Sequence, residues 1–233
     1  MNEIETGATP GPLEAYEELR TGFTAVVSHE LRTPLARALA LIESGSNPAE
    51  VLTKVRAEIE EMTALVDDVL FLAELESGRA VVAFGPAKAL PELERVAAEH
   101  ADRADRADVK LDVSGDREAE LPLRPRMLAV VAENLIENAL RYAGPGTTLG
   151  LVLERDPEET RLIAVDDGVG IDESDLPRLF ERFFRSDRAR ASRGTGLGLA
   201  IVKHIVMQAG GSVEARGGRG RGLEVRCVFA PSP

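Results

Sequence analysis

Two long stretches near the start of the chain place apolar residues at the spacing of a helix. The first lies between Leu13 and Ser44, and its apolar side chains recur every three or four residues, at Leu19, Phe23, Val27, Leu31, Leu35 and Ala38. Asn47 and Pro48 then suit the cap and the first turn of another helix. That helix reaches about Gly78, with a stripe through Val51, Val55, Ile59 or Met62, Val66, Val69 and Phe71 or Leu72. Two such helices with a short connection predict an antiparallel hairpin.

The hairpin has two apolar stripes and cannot bury both of them alone. We therefore expect two copies of the chain to pair as a homodimer, with their hairpins forming a four-helix bundle. Ahead of the hairpin, residues 1–12 are polar and acidic and contain glycine and proline, which predicts a flexible leader. That segment has neither the basic start nor the apolar run of a signal peptide.

The pattern changes after Gly78, where short β-type runs begin to alternate with helical runs. Predicted strands are Val81–Phe84, Val109–Val113, Thr148–Leu153, Arg161–Asp166 and Leu223–Phe229. Predicted helices are Ala87–Arg103, Pro125–Ala143, Asp175–Phe184 and Leu197–Ala209. The fold class expected is α+β, with a helical hairpin at 13–78 and an α/β domain at 79–233.

The charge balance narrows the possible partners. The 233 residues include 28 Lys and Arg against 40 Asp and Glu, a net charge of −12. Because phosphate recognition needs positive charge, this balance argues against a general nucleic-acid binder or a protein of anionic membrane surfaces. No apolar run approaches the roughly 18 residues of a membrane span, and the single cysteine, Cys227, excludes an internal disulfide framework. These features predict a cytoplasmic chain, or the cytoplasmic part of a membrane-anchored protein.

The first helix carries a candidate site for chemistry at His29. A helix advances about 100° per residue, so His29 faces away from the apolar stripe and toward water. Glu30 could fix the tautomer of the imidazole or accept its proton. Thr33 lies one turn later on the same face, where its hydroxyl could hold a water molecule. Pro34 removes a backbone hydrogen bond and should bend the helix just after these residues.

Polar residues share one face of the predicted helix Pro125–Ala143. Asn134, Asn138 and Arg141 follow the spacing i, i+4, i+7. Amide oxygens are suitable ligands for Mg²⁺, and a guanidinium is suited to phosphate. A merely solvated polar face would show the same spacing, so this helix alone does not decide between the two interpretations.

The end of the strand Arg161–Asp166 suits the recognition of a base. The Asp166 carboxylate could accept a hydrogen bond from an exocyclic amine. Gly168 and Gly170 would then let the backbone approach a flat ring closely, although many ordinary turns contain the same pattern.

Two later segments suit the phosphates of a nucleotide. Phe180–Arg185 leads into a polar loop, 186–193, which we expect to be mobile and whose arginines could close on phosphate. After it, the glycines of Gly194–Gly198 open a helix, where free backbone N–H groups form an anion site. Their spacing matches neither a dinucleotide-binding motif nor a P-loop.

These motifs and their order resemble the sensor histidine kinases of two-component systems. The run Ser28-His29-Glu30-Leu31-Arg32-Thr33-Pro34-Leu35 is similar to the H-box of that family. The amide helix, Asp-x-Gly-x-Gly, the Phe/Arg segment and Gly-x-Gly-x-Gly resemble the N, G1, F and G2 boxes of its catalytic domain. The resemblance covers about residues 15–230. It implies the Bergerat or GHKL fold, an α/β sandwich shared with Hsp90, MutL and type II topoisomerase ATPases.

The resemblance also implies an activity and a role for individual residues. It implies that ATP and Mg²⁺ are bound, that His29 is autophosphorylated with help from Glu30, and that Thr33 serves a phosphatase activity. The phosphoryl group would pass to an aspartate of a response-regulator receiver domain, as in a phosphorelay. Asn138 would bind Mg²⁺ with Asn134 beside it. The other residues expected at the nucleotide are Arg141, Tyr142, Asp166, Gly168, Gly170, Arg182, Arg185, Gly194, Thr195, Gly196, Leu197 and Gly198.

Two other functions compete with the kinase, namely a Bergerat-fold ATPase clamp and a non-catalytic dimer scaffold. Clamp ATPases of this fold are similar to one another in a Glu-x-x-x-Asn pattern, whose glutamate activates water. Asn134 stands at the glutamate position here, four residues before Asn138. An amide is no general base, so transfer to His29 is favoured over hydrolysis. A scaffold would have lost residues such as Asn138, and none of the motif residues is lost. Two places depart from the family's pattern: Asp167 replaces the usual Asn, and Gly220–Glu224 lacks the usual threonines.

Overall fold

The computed structural model describes residues 12–44, 47–77, 87–186 and 194–230, with side chains from residue 24 onward. The leader predicted at 1–12, apart from its last residue, lies outside these ranges. So do the strand predicted at Val81–Phe84 and most of the loop predicted at 186–193. The chain divides into two compact units, the first ending at Leu65 and the second beginning at Val66.

The first unit is built from two long helices. Helix α1 spans Pro12–Glu43 and helix α2 spans Pro48–Glu76, which confirms the predicted hairpin helices. The Asn47 side-chain oxygen accepts a hydrogen bond from the Ala49 N–H at 3.1 Å, so the predicted cap is present. Arg37 of α1 donates to Glu58 and Glu61 of α2 at 2.9 and 3.1 Å. These bonds fix how the two helices face each other.

Both helices leave large apolar side chains at the surface of the single chain. Their exposed fractions range from 37% to 71%, at Val26, Leu35, Leu39, Ile42, Leu52, Ile59, Val66 and Leu70. On α2, Leu52, Ile59 and Val66 are seven residues apart, the repeat of helices that pack along a seam. One hairpin therefore does not bury its own apolar surface, as its two stripes predicted.

The second unit begins with the last turns of α2 and contains one main sheet. Helices α3 (Leu90–Glu99), α4 (Ala101–Ala107), α5 (Pro125–Tyr142) and α6 (Gly198–Gln208) alternate with strands. The strands are β1 (Ala87–Lys88), β2 (Val109–Gly115), β3 (Glu120–Leu121), β4 (Thr147–Arg155), β5 (Thr160–Asp166), β6 (Ser212–Gly217) and β7 (Leu223–Phe229). The sheet order is β2-β4-β5-β7-β6. Among the strands that the structure describes, only the β2–β4 pair is parallel, and β1 pairs with β3 in a separate two-stranded sheet.

One face of this sheet and the helices packed on it form the core of the second unit. Buried and more exposed residues alternate along β4 and β7, with Leu149, Leu151 and Leu153 buried in one strand and Val225, Cys227 and Phe229 in the other. Helix α5 contacts both α3 and α6. The result is a two-layer α/β sandwich in which α5 lies at the centre of the helical layer, so residues on α5 can meet several other elements.

Two predicted helices differ from the observed elements, and one strand of the main sheet was missed. The helix predicted at Ala87–Arg103 is wrong as a single element, because residues 87–88 pair as β1 and His100 separates α3 from α4. The His100 ring Nδ1 lies 2.9 Å from the Val96 carbonyl oxygen, which ties the ring to the end of α3. The helix predicted at Asp175–Phe184 is a short 3₁₀ helix, Glu173–Arg178, capped by the Asp172 side chain. Strand β6 was not predicted.

Within the described ranges, no helix has both the length and the apolar character needed to cross a bilayer.

Candidate active site

His29 lies on the open face of α1, as its position in the pattern predicted. Its side chain is 75% exposed, and its Nδ1 lies 3.7 Å from Glu30 Oε1. The carboxylate therefore faces one ring nitrogen, which leaves Nε2 on the other side of the ring. The Thr33 hydroxyl donates to the His29 carbonyl oxygen at 3.3 Å, which places this hydroxyl one turn from the imidazole. Helix α1 runs on through Pro34 without interruption.

In the second unit, α5 orients the amides and the guanidinium that the sequence placed on one face. Asn134 donates from Nδ2 to the Val130 carbonyl at 2.8 Å, and its Oδ1 lies on the other side of the amide, next to Gly198. Asn138 is half-buried one turn later, and no hydrogen bond joins its amide to any described residue. Two amide side chains one turn apart on a helix can supply oxygen ligands to a hard cation such as Mg²⁺.

Glu137 holds the basic side chains beside these amides. Its carboxylate pairs with Arg103 and lies 3.4 Å from the Arg141 guanidinium and 3.8 Å from His100 Nε2. Sequence reasoning missed Glu137, although its i, i+4 spacing to Arg141 is the usual signal for a helical ion pair. The pair orients Arg141 along the same face as the amides.

The loop Gly194–Gly198 packs directly on this face of α5. A β-carbon at Gly194 would lie 2.9 Å from both Arg141 Nη1 and the Tyr142 hydroxyl oxygen. A β-carbon at Gly198 would lie 2.6 Å from Asn134 Oδ1. Because real β-carbons do not approach so closely, a side chain at either position would have to push these side chains of α5 aside.

The middle of the same loop is tied to two other segments. Gly196 has φ of +69° and its carbonyl accepts from the Phe183 N–H at 2.9 Å. The Thr195 hydroxyl accepts from the Leu197 N–H at 3.2 Å and donates to Asp68 Oδ2 at 2.9 Å. Leu197 is fully buried at the start of α6. The loop thus joins α5, α6, the Phe183 segment and the last turns of α2.

Asp166 closes strand β5, and Gly168, two residues later, packs on Ala143 at the C-terminal end of α5. Its Oδ1 accepts from the Gly168 N–H at 2.9 Å, and its side chain is almost fully buried. Burial raises the pKa of Asp166, while backbone hydrogen bonds from Gly168 and Leu223 act in the opposite direction and the Asp167 charge adds to the rise. Asp167 itself accepts from the Thr148 N–H at 2.6 Å. The residue that departs from the family's pattern therefore anchors the start of β4.

The glycines after Asp166 allow the chain to pack against itself. A β-carbon at Gly168 would lie 2.3 Å from the Ala143 carbonyl oxygen, and one at Gly170 would lie 1.9 Å from that of Gly218. Gly222, in the turn between β6 and β7, has φ of +69° and would place a β-carbon 1.8 Å from the Asp166 carbonyl oxygen. These glycines thus pack against backbone carbonyls, and the contact of Gly168 and Gly170 with a bound ring stays a prediction.

The Phe/Arg segment is directed in part toward α2. Arg182 pairs with Glu76, and burial lowers the pKa of this guanidinium. Arg185 is half-buried. The Arg178 guanidinium stacks over the Phe184 ring, 4.6 Å from its centroid. Roles for Arg182 and Arg185 at a nucleotide stay predictions, and the arginines of 187–193 lie outside the described residues.

The structure therefore brings most of the predicted nucleotide residues around α5. The Gly194–Gly198 loop packs against Asn134, Arg141 and Tyr142. Gly168 packs against Ala143, the residue that follows Tyr142. Sequence reasoning missed Asp68, which contacts this loop from 127 residues away in the chain. No local pattern could have found that contact.

Comparison with known families matches both parts of the chain. Residues 124–233 match the family of histidine kinase-, DNA gyrase B- and HSP90-like ATPases. Residues 19–78 match the His Kinase A (phospho-acceptor) domain. The two matches contain the candidate nucleotide site and His29, respectively.

Curated relatives carry the same two regions in longer chains. The chain is 35% identical over 211 residues to the signal transduction histidine-protein kinase BaeS of Escherichia coli strain K12, covering 87% of this chain and 45% of BaeS. It is 34% identical over 251 residues to the histidine-protein kinase/phosphatase MprB of Mycobacterium ulcerans, covering 94% of this chain and 46% of MprB. The chain thus spans less than half the length of these relatives.

A solved structure shares the fold over almost the whole chain. The histidine kinase ThkA, in complex with the response regulator protein TrrA, aligns with a TM-score of 0.71 at 21% identity, covering 97% of this chain and 69% of ThkA. Taken together, the two family matches and the curated relatives show that the chain belongs to the sensor histidine kinases.

Proposed function

We propose that this chain is the kinase core of a two-component system, in which ATP phosphorylates His29. The observation that carries the proposal is the pairing of an exposed imidazole, faced on one side by a carboxylate, with an α/β unit in which amides, Arg141 and a glycine loop converge. The imidazole of His29 can accept a phosphoryl group. The α/β unit provides the hydrogen-bond donors and the metal ligands that a nucleoside triphosphate needs.

The geometry at His29 supports attack by Nε2. A proton on Nδ1 would face Glu30, and the lone pair then resides on Nε2. As Nε2 bonds to the γ-phosphorus of ATP, the bond from that phosphorus to the β–γ bridging oxygen breaks and ADP leaves. The ring becomes cationic, and Glu30 accepts the Nδ1 proton. This carboxylate therefore acts as the general base of the transfer.

At the nucleotide, each residue has a separate task. Asp166 accepts from the exocyclic amine of adenine, and Arg141 and the N–H groups of Gly194–Gly198 bind phosphate oxygens. Asn138 and Asn134 would hold Mg²⁺, which neutralises charge on the phosphates when bound. Tyr142 adds contact to the base at the end of α5. Because Asn134 is an amide, the site holds no carboxylate at that position to activate water for hydrolysis.

Thr33 supports a second activity, dephosphorylation of the partner. Its single hydroxyl proton is directed at the His29 carbonyl, so its oxygen is left to accept a hydrogen bond. A water that donates to this oxygen keeps a lone pair for attack on an acyl phosphate. The name of MprB includes both kinase and phosphatase.

The proposed partners are a second copy of the chain and a response regulator. The exposed apolar side chains of α1 and α2 support pairing of two hairpins into a four-helix bundle. ThkA was solved with the response regulator TrrA, and a receiver-domain aspartate would accept the phosphoryl group from His29 here. For the location of this chain, we propose the cytoplasm, where ATP and response regulators are found.

Autophosphorylation is tested with radiolabelled ATP on the full chain. His29→Gln should abolish label that is lost in acid and kept in alkali. Because the chain has 3 histidines, His204→Gln is the matched control and should retain the label. Label that persists in His29→Gln would place the acceptor elsewhere.

The division of labour between Glu30 and Thr33 needs two time courses, label entering His29 and label leaving a phosphorylated receiver domain. Thr33→Ala should keep autophosphorylation within a few fold and lose about 10- to 1000-fold in phosphatase rate. Glu30→Ala should mainly slow transfer. Thr53→Ala is the matched control, because Thr53 makes the same bond to the carbonyl four residues earlier, on α2. Loss of autophosphorylation with intact phosphatase activity in Thr33→Ala would contradict these roles.

A further inference from the structure

The last turns of α2 are held within the second unit by polar contacts as well as by packing. Leu72 and Leu75 are fully buried there. Gln208 of α6 donates from Nε2 to the Leu75 carbonyl at 2.6 Å, and Arg182 pairs with Glu76. These contacts bring Asp68, two turns earlier on α2, against the glycine loop.

Asp68 contacts that loop at a residue proposed to bind ATP. Its Oδ2 accepts the Thr195 hydroxyl proton at 2.9 Å. Thr195 lies between Gly194, which packs on the Arg141 guanidinium, and Gly196. Burial raises the pKa of Asp68, while the Thr195 hydrogen bond and the nearby Arg141 charge act in the opposite direction and the charges of Asp67 and Glu137 add to the rise. The Asp68 carboxyl group and the Arg141 guanidinium thus lie against two adjacent residues of the loop, Thr195 and Gly194.

A phosphate oxygen of ATP would need the same two partners as the Asp68 carboxylate, namely the Thr195 hydroxyl and the Arg141 guanidinium. Thr195 has one hydroxyl proton, and its oxygen already accepts from the Leu197 N–H. An ATP phosphate only accepts hydrogen bonds, so it cannot bond this hydroxyl while the proton points at Asp68. Both anions are also attracted to Arg141, and they repel each other at such short range.

We propose that the Asp68 carboxylate competes with the phosphates of ATP for Thr195 and Arg141, so that nucleotide binding releases the end of α2 from the glycine loop. The inference rests on the proposed function, because it takes ATP as the ligand of this site. Adenosine, which has the base but no phosphate, binds without this competition.

The test is calorimetric titration of the full chain with adenosine and with the non-hydrolysable ATP analogue AMPPNP. Asp68→Asn removes the charge with little change in shape. It should tighten AMPPNP binding by about 3- to 10-fold, the scale of one partly screened contact between like charges, and leave adenosine binding unchanged. Asp67→Asn is the matched control, since Asp67 is exposed and adjacent, and should shift neither affinity by more than about twofold.

Unchanged AMPPNP affinity in Asp68→Asn would overturn the inference, and so would equal tightening for both ligands. A wild-type chain that bound neither ligand would overturn the ATP site itself and the inference with it. Normal binding of both ligands, with no effect of Asp68→Asn, would overturn the inference alone.

Hydrogen exchange of the unaltered chain gives a second measurement that needs no variant. Backbone amides of Val66–Glu76 should exchange faster with AMPPNP bound than with adenosine bound, because only the phosphates release this segment. Equal exchange with the two ligands would also overturn the inference.

Discussion

Two glycines in the turn between β6 and β7 form a matched pair for testing how Asp166 is held. Gly220 and Gly222 have φ of +70° and +69°, so an alanine at either position meets nearly the same backbone strain. That strain costs about 1–2 kcal/mol of unfolding free energy. The surroundings differ, because a β-carbon at Gly220 has nothing within 4 Å and one at Gly222 lies 1.8 Å from the Asp166 carbonyl oxygen.

The expected difference follows from that distance. To reach the 3.0 Å below which real β-carbons are essentially never found, the two backbones must separate by about 1.2 Å. Overpacking of this kind costs about 1–3 kcal/mol. We therefore expect Gly220→Ala to lower the unfolding free energy by about 1–2 kcal/mol, and Gly222→Ala to lower it by about 2–5 kcal/mol.

Nucleotide binding should distinguish the Gly220→Ala and Gly222→Ala variants more clearly than the free energy of unfolding does. Gly222→Ala shifts the backbone of Asp166, so it should weaken AMPPNP binding and reduce discrimination of ATP from GTP. Gly220→Ala should leave both properties within about twofold, since exposed changes away from a site have small effects. The measurements are urea unfolding by circular dichroism and calorimetric titration. Equal losses of stability and affinity in the two variants would refute the assignment of Gly222 as the support of Asp166.

Three further predictions concern the proposed nucleotide site and the proposed dimer. Asp167→Asn keeps the oxygen that accepts from the Thr148 N–H but removes a charge that raises the pKa of Asp166. AMPPNP affinity, which should decline as Asp166 is protonated at falling pH, should therefore decline at a lower pH in this variant when followed by titration calorimetry across pH. Asn138→Ala should mainly reduce Mg²⁺-dependent nucleotide binding, whereas Asp166→Ala should mainly reduce the preference for ATP over GTP, measured by competition. Ile59→Asp should dissociate the dimer in light scattering, because an unpaired charge in an apolar interface costs several kcal/mol, while Lys54→Asp on the opposite face of α2 should not.

The sequence predicted the elements whose patterns are strong. Helices α1, α2 and α5 and strands β4, β5 and β7 have regular apolar spacing, and each lies within a few residues of its predicted range. Strand β6 was not predicted because its apolar pattern is weak. It is an edge strand, its only apolar residues are Val213 and Ala215, and neither is fully buried. The helix predicted at Asp175–Phe184 is longer than the 3₁₀ helix Glu173–Arg178 that forms. This segment contains Pro177 and has no buried residue, so packing does not extend the helix.

For the candidate site, local patterns indicated which residues matter but not which ones meet. The spacing of Asn134 and Arg141 placed them on one face of a helix, and α5 has that face. The contacts of Gly194 with Arg141 and of Thr195 with Asp68 depend on how separate elements pack, and no spacing within one segment encodes them. The division of the chain at Leu65 and Val66 likewise reflects packing, and the domain boundary predicted at 78–79 stays a prediction.

The packing of the end of α2 into the second unit bears on how catalytic regions can be exchanged between kinases. A chimaera joined at residue 79 would take Leu72, Leu75 and Glu76 from one parent and Gln208 and Arg182 from the other. A junction ahead of Val66 would transfer all of these partners together. Recombination of such regions, in the laboratory or in evolution, should therefore be better tolerated inside α2 than at the visible change of sequence pattern that follows it.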